Sequence, residues 1–123
     1  ESCYRHLPKV CSKVKKSNNV NTFWGDAFES IKSIEDSKYD KIFVDLNDDQ
    51  YCIDLARKNM KGLKRILKPG GVITAQVGSK DKKPKQVENW CKVLEKSFGN
   101  VSVSGIHIPS FDCNWNFASS IMK

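Results

Sequence analysis

Apolar and polar positions along the chain alternate between helical and strand periods. Short apolar runs at 41–46 ("KIFVDL") and 72–77 ("VITAQV") are typical of strands with buried faces. In 86–98 ("QVENWCKVLEKSF") the apolar residues recur at helical spacing and therefore share one helix face. The same pattern predicts further strands at 19–26, 100–108 and 116–122 and further helices at 27–35 and 50–67.

Strands separated by helices of this length predict right-handed βαβ crossovers. We therefore expect an α/β fold with a partial Rossmann-like, doubly wound and mainly parallel sheet. The last two strands are joined without a helix, so they should form a C-terminal antiparallel hairpin. The sequence "KPGG" should end the helix at 50–67, because Pro69 cannot continue a helix and two glycines allow a tight turn.

The 123 residues form one domain by length, with 39% apolar and 28% charged residues. No apolar run approaches the length of a membrane span. Five cysteines without a CxxC pair favour a reduced, cytoplasmic setting. Cys3, His6 and Cys11 lack a second ligand pair, so we expect no metal site.

The net charge of +7 is concentrated in three basic runs at 9–16, 57–68 and 80–85. Such runs could attract nucleic acid or an anionic surface. The run at 57–68 is interleaved with Met60, Leu63 and Ile66 at helical spacing. We therefore favour a solvated helix face over a nucleic-acid partner.

Three carboxylates cluster at the end of the strand at 41–46: Asp45, Asp48 and Asp49. In open α/β sheets, ligands bind beyond the carboxyl ends of the strands, so these acids lie where chemistry is expected. The alternative is that Asp48 and Asp49 cap the helix that begins near Gln50. Asp26 could similarly cap the helix at 27–35.

Several motifs occur in the order found in the polyamine aminopropyltransferases. They are Gly25-Asp26 after a strand, Asp45-Leu46-Asn47-Asp48 after the next, Gln76 in "TAQVGS" and Ile108-Pro109-Ser110-Phe111 near the end. Together they resemble the spermidine synthase-like family, whose fold is that of the class I S-adenosylmethionine-dependent methyltransferases. The resemblance covers most of the chain.

The resemblance implies roles for these positions. Asp45 would be the catalytic base, and Asp48, Gln76 and Phe111 would bind the amine substrate. The carboxylate of Asp26 and the backbone N–H of Ala27 would receive the adenine of decarboxylated S-adenosylmethionine, the co-substrate. No tightly bound cofactor is implied, and the acceptor would be putrescine or a related amine.

The departures from the family pattern are specific. Phe111 replaces a tyrosine, Asp49 replaces a proline, and Asn114 and Asn116 stand where glycine is usual. The family's glycine-rich first βα turn and its ribose-binding acid are missing from residues 1–123. We therefore expect this segment to be the later part of a single domain without its nucleotide-binding first half, and to be inactive alone.

Two other functions are compatible with the same pattern. The fold could carry methyl transfer with S-adenosylmethionine, although no N-P-P-Y sequence follows the strand at 41–46. A non-catalytic paralogue or basic binding module would use the fold without the chemistry. The predicted partners are small-molecule polyamine and nucleoside substrates, a homodimer is compatible with the sequence, and no membrane association is expected.

Overall fold

The computed structural model describes residues 2–47 and 49–123, apart from the side chains of residues 4, 12 and 15. The chain begins with the helices α1 (Ser2–His6), α2 (Pro8–Lys15) and α3 (Ala27–Ile31). Strands and helices then alternate as β1 (Tyr39–Val44), α4 (Gln50–Ile66), β2 (Leu67–Gly78), α5 (Pro84–Phe98) and β3 (Ser102–Ile108). A single 3₁₀ turn (Pro109–Phe111) leads into β4 (Cys113–Ile121).

The four strands form one mixed sheet in the order β1-β2-β4-β3. β1 and β2 are parallel, with Val44 opposite Ala75. β4 is antiparallel to both of its neighbours, β2 and β3. The predicted α/β fold and C-terminal hairpin are confirmed, whereas the mainly parallel sheet is seen only in the β1–β2 pair.

The predicted strand at 19–26 is wrong. Residues 20–25 have no strand structure and lead directly into α3. Phe23 and Trp24, whose apolar character suggested a strand, are each 80% exposed. Within the described residues no strand pairs with this segment, so its backbone has no sheet ladder to join.

One face of the sheet is covered by α4 and α5, which pack against each other and against β2. β2 shows the alternation that this arrangement requires. Ile73, Ala75 and Val77 are fully buried, while Thr74 and Gln76 on the opposite face stay partly exposed. The half-exposed face of β2 is therefore available to line a site.

The "KPGG" sequence does not form the tight turn that the sequence predicted. α4 ends at Ile66, and β2 begins at Leu67 and includes Pro69 and both glycines. Gly70 has a φ of 76°, and its N–H donates to the carbonyl of Met122 at 2.8 Å. A Cβ on Gly71 would lie 2.9 Å from the backbone oxygen of Asp40, so this glycine permits close contact between β1 and β2.

Candidate active site

Asp45 follows the last residue of β1 and is exposed to solvent. Because β1 and β2 are parallel, their carboxyl ends meet at one rim of the sheet, and Gln76 lies two residues before the end of β2. The structure thus brings Asp45 and Gln76 to the same rim. Asp48, the predicted amine anchor, lies outside the described residues.

Asp45 opens onto a cavity of about 640 Å³ at this rim. Its polar lining comes from the ends of β1 and β2, and its apolar lining comes mostly from β1, the 3₁₀ turn and β4. The lining residues are Phe43, Val44, Asp45, Leu46, Asn47, Thr74, Gln76, Ile108, Phe111, Trp115 and Phe117. Three predicted site residues, Asp45, Gln76 and Phe111, therefore line one cavity.

The side chain of Gln76 is hydrogen-bonded at both ends. Its Nε2 donates to the carbonyl of Leu46, in the segment that carries Asp45. Its Oε1 accepts from Trp115 Nε1 at 2.7 Å. Gln76 thus connects the loop after β1 to β4, and this arrangement makes it a positioning residue for the cavity walls.

The segment after β3 folds over the same rim. The ring of Phe111 contacts that of Trp115, with centroids 4.7 Å apart and planes tilted by 48°. Lys82 Nζ donates to the carbonyl of Phe111 at 2.9 Å, which ties the turn to the segment after β2. Asp112 completes the turn with a φ of 47°. Phe111 therefore forms part of a fixed aromatic wall.

Asp26 caps α3 through its side chain. Its Oδ1 accepts from the backbone N–H of Phe28 at 2.8 Å and of Glu29 at 3.3 Å. Its neighbours Gly25 and Ala27 line a second cavity of about 570 Å³, and Asp45 lines both cavities. The residues on either side of Asp26 therefore line the same cavity as Asp45, although residues 20–25 are not a strand.

Asp49 also has the capping role that the sequence allowed. Its Oδ1 accepts from the backbone N–H of Cys52 at 2.8 Å, at the start of α4. Desolvation is the main cause that raises the pKa of Cys52. A hydrogen bond from the thiol to the Asp49 carboxylate raises it further. This thiol is therefore held in its protonated form, which is the less nucleophilic one.

Sequence reasoning gave Phe43 and Phe117 no role in a site, and for Trp115 it favoured packing on the sheet over lining a pocket. The structure places all three around the cavity. Phe43 is 75% exposed, in contrast to its buried neighbour Val44. The alternation of side chains along β1 could have predicted that Phe43 and Val44 lie on opposite faces of the sheet. Trp115 and Phe117 were harder to predict, because aromatic residues in a late hairpin usually pack on the sheet.

Two features are absent from the described residues. In 2–47 and 49–123, His, Cys, Asp and Glu side chains form no group of three or more that could hold a metal ion. Over the same ranges, no helix is long and apolar enough to span a membrane.

A family model for the spermine/spermidine synthase domain matches residues 1–123. The chain belongs to the spermine/spermidine synthase family. The family assignment confirms the resemblance found in the motifs, and the mixed α/β sheet fits it. No curated protein sequence matches the chain.

Solved structures share the fold of this family member. A spermidine synthase from Thermotoga maritima superposes with a TM-score of 0.75 at 12% identity, over 99% of this chain and 40% of that chain. A spermidine synthase in complex with the transition-state analogue AdoDATO gives a TM-score of 0.82 at 13% identity, over 99% and 42%. The chain therefore spans about two-fifths of the length of these synthases.

A methyltransferase has the same fold. The N-methyltransferase NodS from Bradyrhizobium japonicum WM9 superposes with a TM-score of 0.64 at 17% identity, over 96% of this chain and 68% of that chain. At these identities the superpositions establish the fold alone. They confirm the prediction of a Rossmann-like, methyltransferase-like architecture.

Proposed function

We propose that a protein containing these residues transfers an aminopropyl group from decarboxylated S-adenosylmethionine to putrescine or a related amine. The observation that carries the proposal is the cavity lined by Asp45, Gln76 and Phe111 at the carboxyl ends of β1 and β2. Membership of the spermine/spermidine synthase family supports the same reaction class. A local carboxylate also explains how a chain with a net charge of +7 would collect a polycation.

The proposed reaction needs a base and accurate positioning. The amine nitrogen attacks the aminopropyl carbon next to the sulfonium, the carbon–sulfur bond breaks, and its electron pair stays on sulfur in methylthioadenosine. An alkylammonium has a solution pKa near ~10, so it must lose a proton before or during attack. Asp45 is exposed at the cavity rim and would accept that proton.

The remaining predicted residues would hold the two substrates. The aromatic wall of Phe111 and Trp115 would lie against the methylene chain of the amine, and Asp48 would hold its far ammonium group. The family pattern implies direct contact between Gln76 and the amine. We propose that Gln76 would act here by holding Trp115 and Leu46 in position instead. The adenine would lie near Asp26 and Ala27, and the backbone N–H of Ala27 would be its donor because Asp26 Oδ1 already accepts from Phe28 and Glu29.

Methyl transfer from S-adenosylmethionine is the second candidate. The superposition on an N-methyltransferase favours it at the level of the fold. The two reactions use donors that differ by a carboxyl group and transfer different groups from the same sulfonium. Product analysis with each donor therefore separates them.

The test uses a protein that contains residues 1–123 together with a nucleotide-binding first half. With decarboxylated S-adenosylmethionine and putrescine, we expect spermidine and methylthioadenosine in equal amounts. Asp45→Asn should lower kcat by about 10²–10⁴-fold because the amide cannot accept the proton. Asp81→Asn, which removes an exposed carboxylate outside both cavities, is the matched control.

Either of two results would contradict the proposal. One is methylated product from S-adenosylmethionine with no spermidine from the decarboxylated donor. The other is spermidine formation that Asp45→Asn leaves unchanged while the variant keeps its fold by circular dichroism.

A further inference from the structure

A basic groove runs between α4 and α5, on the helix-covered side of the sheet. Its rim carries cations from two separate parts of the sequence, and its volume is about 520 Å³. We call it the α4–α5 groove; its lining residues are Arg57, Lys58, Met60, Lys61, Lys64, Lys92, Val93, Lys96 and Ser97. None of them lines the Asp45 cavity.

The sequence placed the basic run at 57–68 on a solvated helix face, and the structure shows that α5 adds two cations to it. Six basic side chains line the groove, and no carboxylate does. Arg57 pairs with Asp54, and Lys92 pairs with Glu88 at 2.6 Å. These pairs are exposed and contribute little, so a ligand can replace them.

The other four cations keep their charge available. Among the described residues, Lys58, Lys61 and Lys96 have no ion-pair partner. Lys64 Nζ donates to the neutral carbonyl of Ser97 at 2.8 Å, so its charge is not compensated. A concave surface with this excess of positive charge attracts anions along its length.

The spacing of the cations indicates which kind of anion the groove would bind. Arg57, Lys61 and Lys64 are separated by four and three residues, which spreads them over about 10 Å of helix. Along the duplex axis, each strand of a nucleic acid presents one phosphate per about 3.4 Å, or about three over that distance. A helix that lies along the duplex axis would therefore bring the row on α4 beside about as many phosphates of one strand as the row has cations.

The composition of the groove argues against other partners. Its apolar residues, Met60 and Val93, are only 3% and 4% exposed, so no apolar side chain is available to enter a bilayer. The lining contains no aromatic residue on which a base could stack. We propose that the α4–α5 groove binds the phosphate backbone of a nucleic acid duplex, independently of sequence.

The test measures binding of the 123-residue chain to a short fluorescein-labelled duplex by anisotropy, between about 50 and 200 mM salt. We expect log K to fall linearly with log salt, by about 0.9 per phosphate contact. The triple variant Lys58→Gln, Lys61→Gln, Lys96→Gln should reduce the slope by about 2–3 and weaken binding at low salt by at least about tenfold.

The matched control is Lys9→Gln, Lys13→Gln, Lys16→Gln, in and just after α2. It removes the same charge from exposed positions of another basic run, and it should keep the wild-type slope. Circular dichroism checks that both triple variants are folded.

Equal losses in the two triple variants would overturn the proposal, because net charge alone would then explain binding. Tighter binding to polyglutamate, or to phosphatidylserine vesicles, than to the duplex would overturn it as well. So would the absence of salt-dependent binding by the wild-type chain.

Discussion

Single residues around the rim combine structural and proposed chemical roles. Asp26 and Asp49 cap helices through Oδ1, which follows from the preference of aspartate for this position. Asp45 caps no helix and is exposed beside a cavity. Among these three described carboxylates, Asp45 is therefore the one whose position helix capping does not explain.

Phe111 offers a gain-of-function test of the proposed amine site. In a protein with the first half present, Phe111→Tyr should lower the KM for putrescine by roughly 2–10-fold, because one added hydrogen bond contributes about 0.5–1.5 kcal/mol. Steady-state kinetics with varied putrescine measure this effect. Phe117→Tyr adds a hydroxyl to another ring of the same cavity and is the control; an equal effect there would contradict a specific role for position 111.

Gln76 and Trp115 should be energetically coupled through the hydrogen bond between their side chains. We expect Gln76→Leu and Trp115→Phe each to lower the free energy of unfolding by about 1–2 kcal/mol, since each leaves a partly buried partner unsatisfied. The double variant should lose less than the sum of the two, with a coupling energy of at least ~0.5 kcal/mol. Urea denaturation of the four proteins tests this; additive losses would mean that the contact does not position the cavity wall.

At the scale of elements, the parallel β1–β2 pair fixes the rim. Val44 and Ala75 are opposite each other, so the residues that follow them emerge at the same end of the sheet. The β3–β4 hairpin then folds the 3₁₀ turn over this rim, and Lys82 holds it there. The site therefore depends on how closely β1 and β2 pair.

Gly71→Ala tests that pairing. The new Cβ would lie 2.8 Å from the carbonyl oxygen of Lys68 and 2.9 Å from that of Asp40, and backbone atoms cannot move aside as a side chain can. We expect a loss of about 2–3 kcal/mol in the free energy of unfolding, measured by urea denaturation. In the control Gly105→Ala, the nearest atom is the end of the Asn116 side chain, so the cost should stay below ~1 kcal/mol. A variant at position 71 as stable as wild type would refute the close contact.

At the scale of the whole molecule, the chain is much shorter than the synthases whose fold it shares. It spans 40% and 42% of two solved spermidine synthases. We propose that the chain alone would hold the sulfonium substrate only by its adenine, next to Asp26. A substrate held at one end is not kept within the ~3–3.5 Å that effective attack requires.

The isolated 123-residue chain should therefore show no measurable aminopropyltransferase activity. The assay is incubation with decarboxylated S-adenosylmethionine and putrescine, followed by measurement of spermidine and methylthioadenosine. The Asp45→Asn chain supplies the blank, and circular dichroism checks that both proteins are folded. Turnover that survives purification and disappears in Asp45→Asn would show that these residues suffice.

Local sequence patterns were sufficient to predict the elements that have strong signals. The helical period of 86–98 predicted α5 because a helix with one buried face repeats its apolar residues at helical spacing. The apolar runs at 41–46 and 72–77 predicted β1 and β2 because a strand with buried faces is a short apolar run. Ordered motifs also predicted the family, as the match over residues 1–123 confirms. The roles of Asp45, Asp48, Gln76, Phe111, Asp26 and Ala27 remain proposals.

Features that depend on contacts between distant segments could not be predicted from local patterns. Residues 20–25 have strand-like composition, but among the described residues they have no partner strand, and strand formation requires one. Gln76 is bonded to residues 30 and 39 positions away, so its role as a connection is invisible in its local sequence. The α4–α5 groove likewise exists because packing brings 57–64 beside 92–97. Local patterns encode which faces are buried, whereas the partners that meet there follow from the packing of the whole chain.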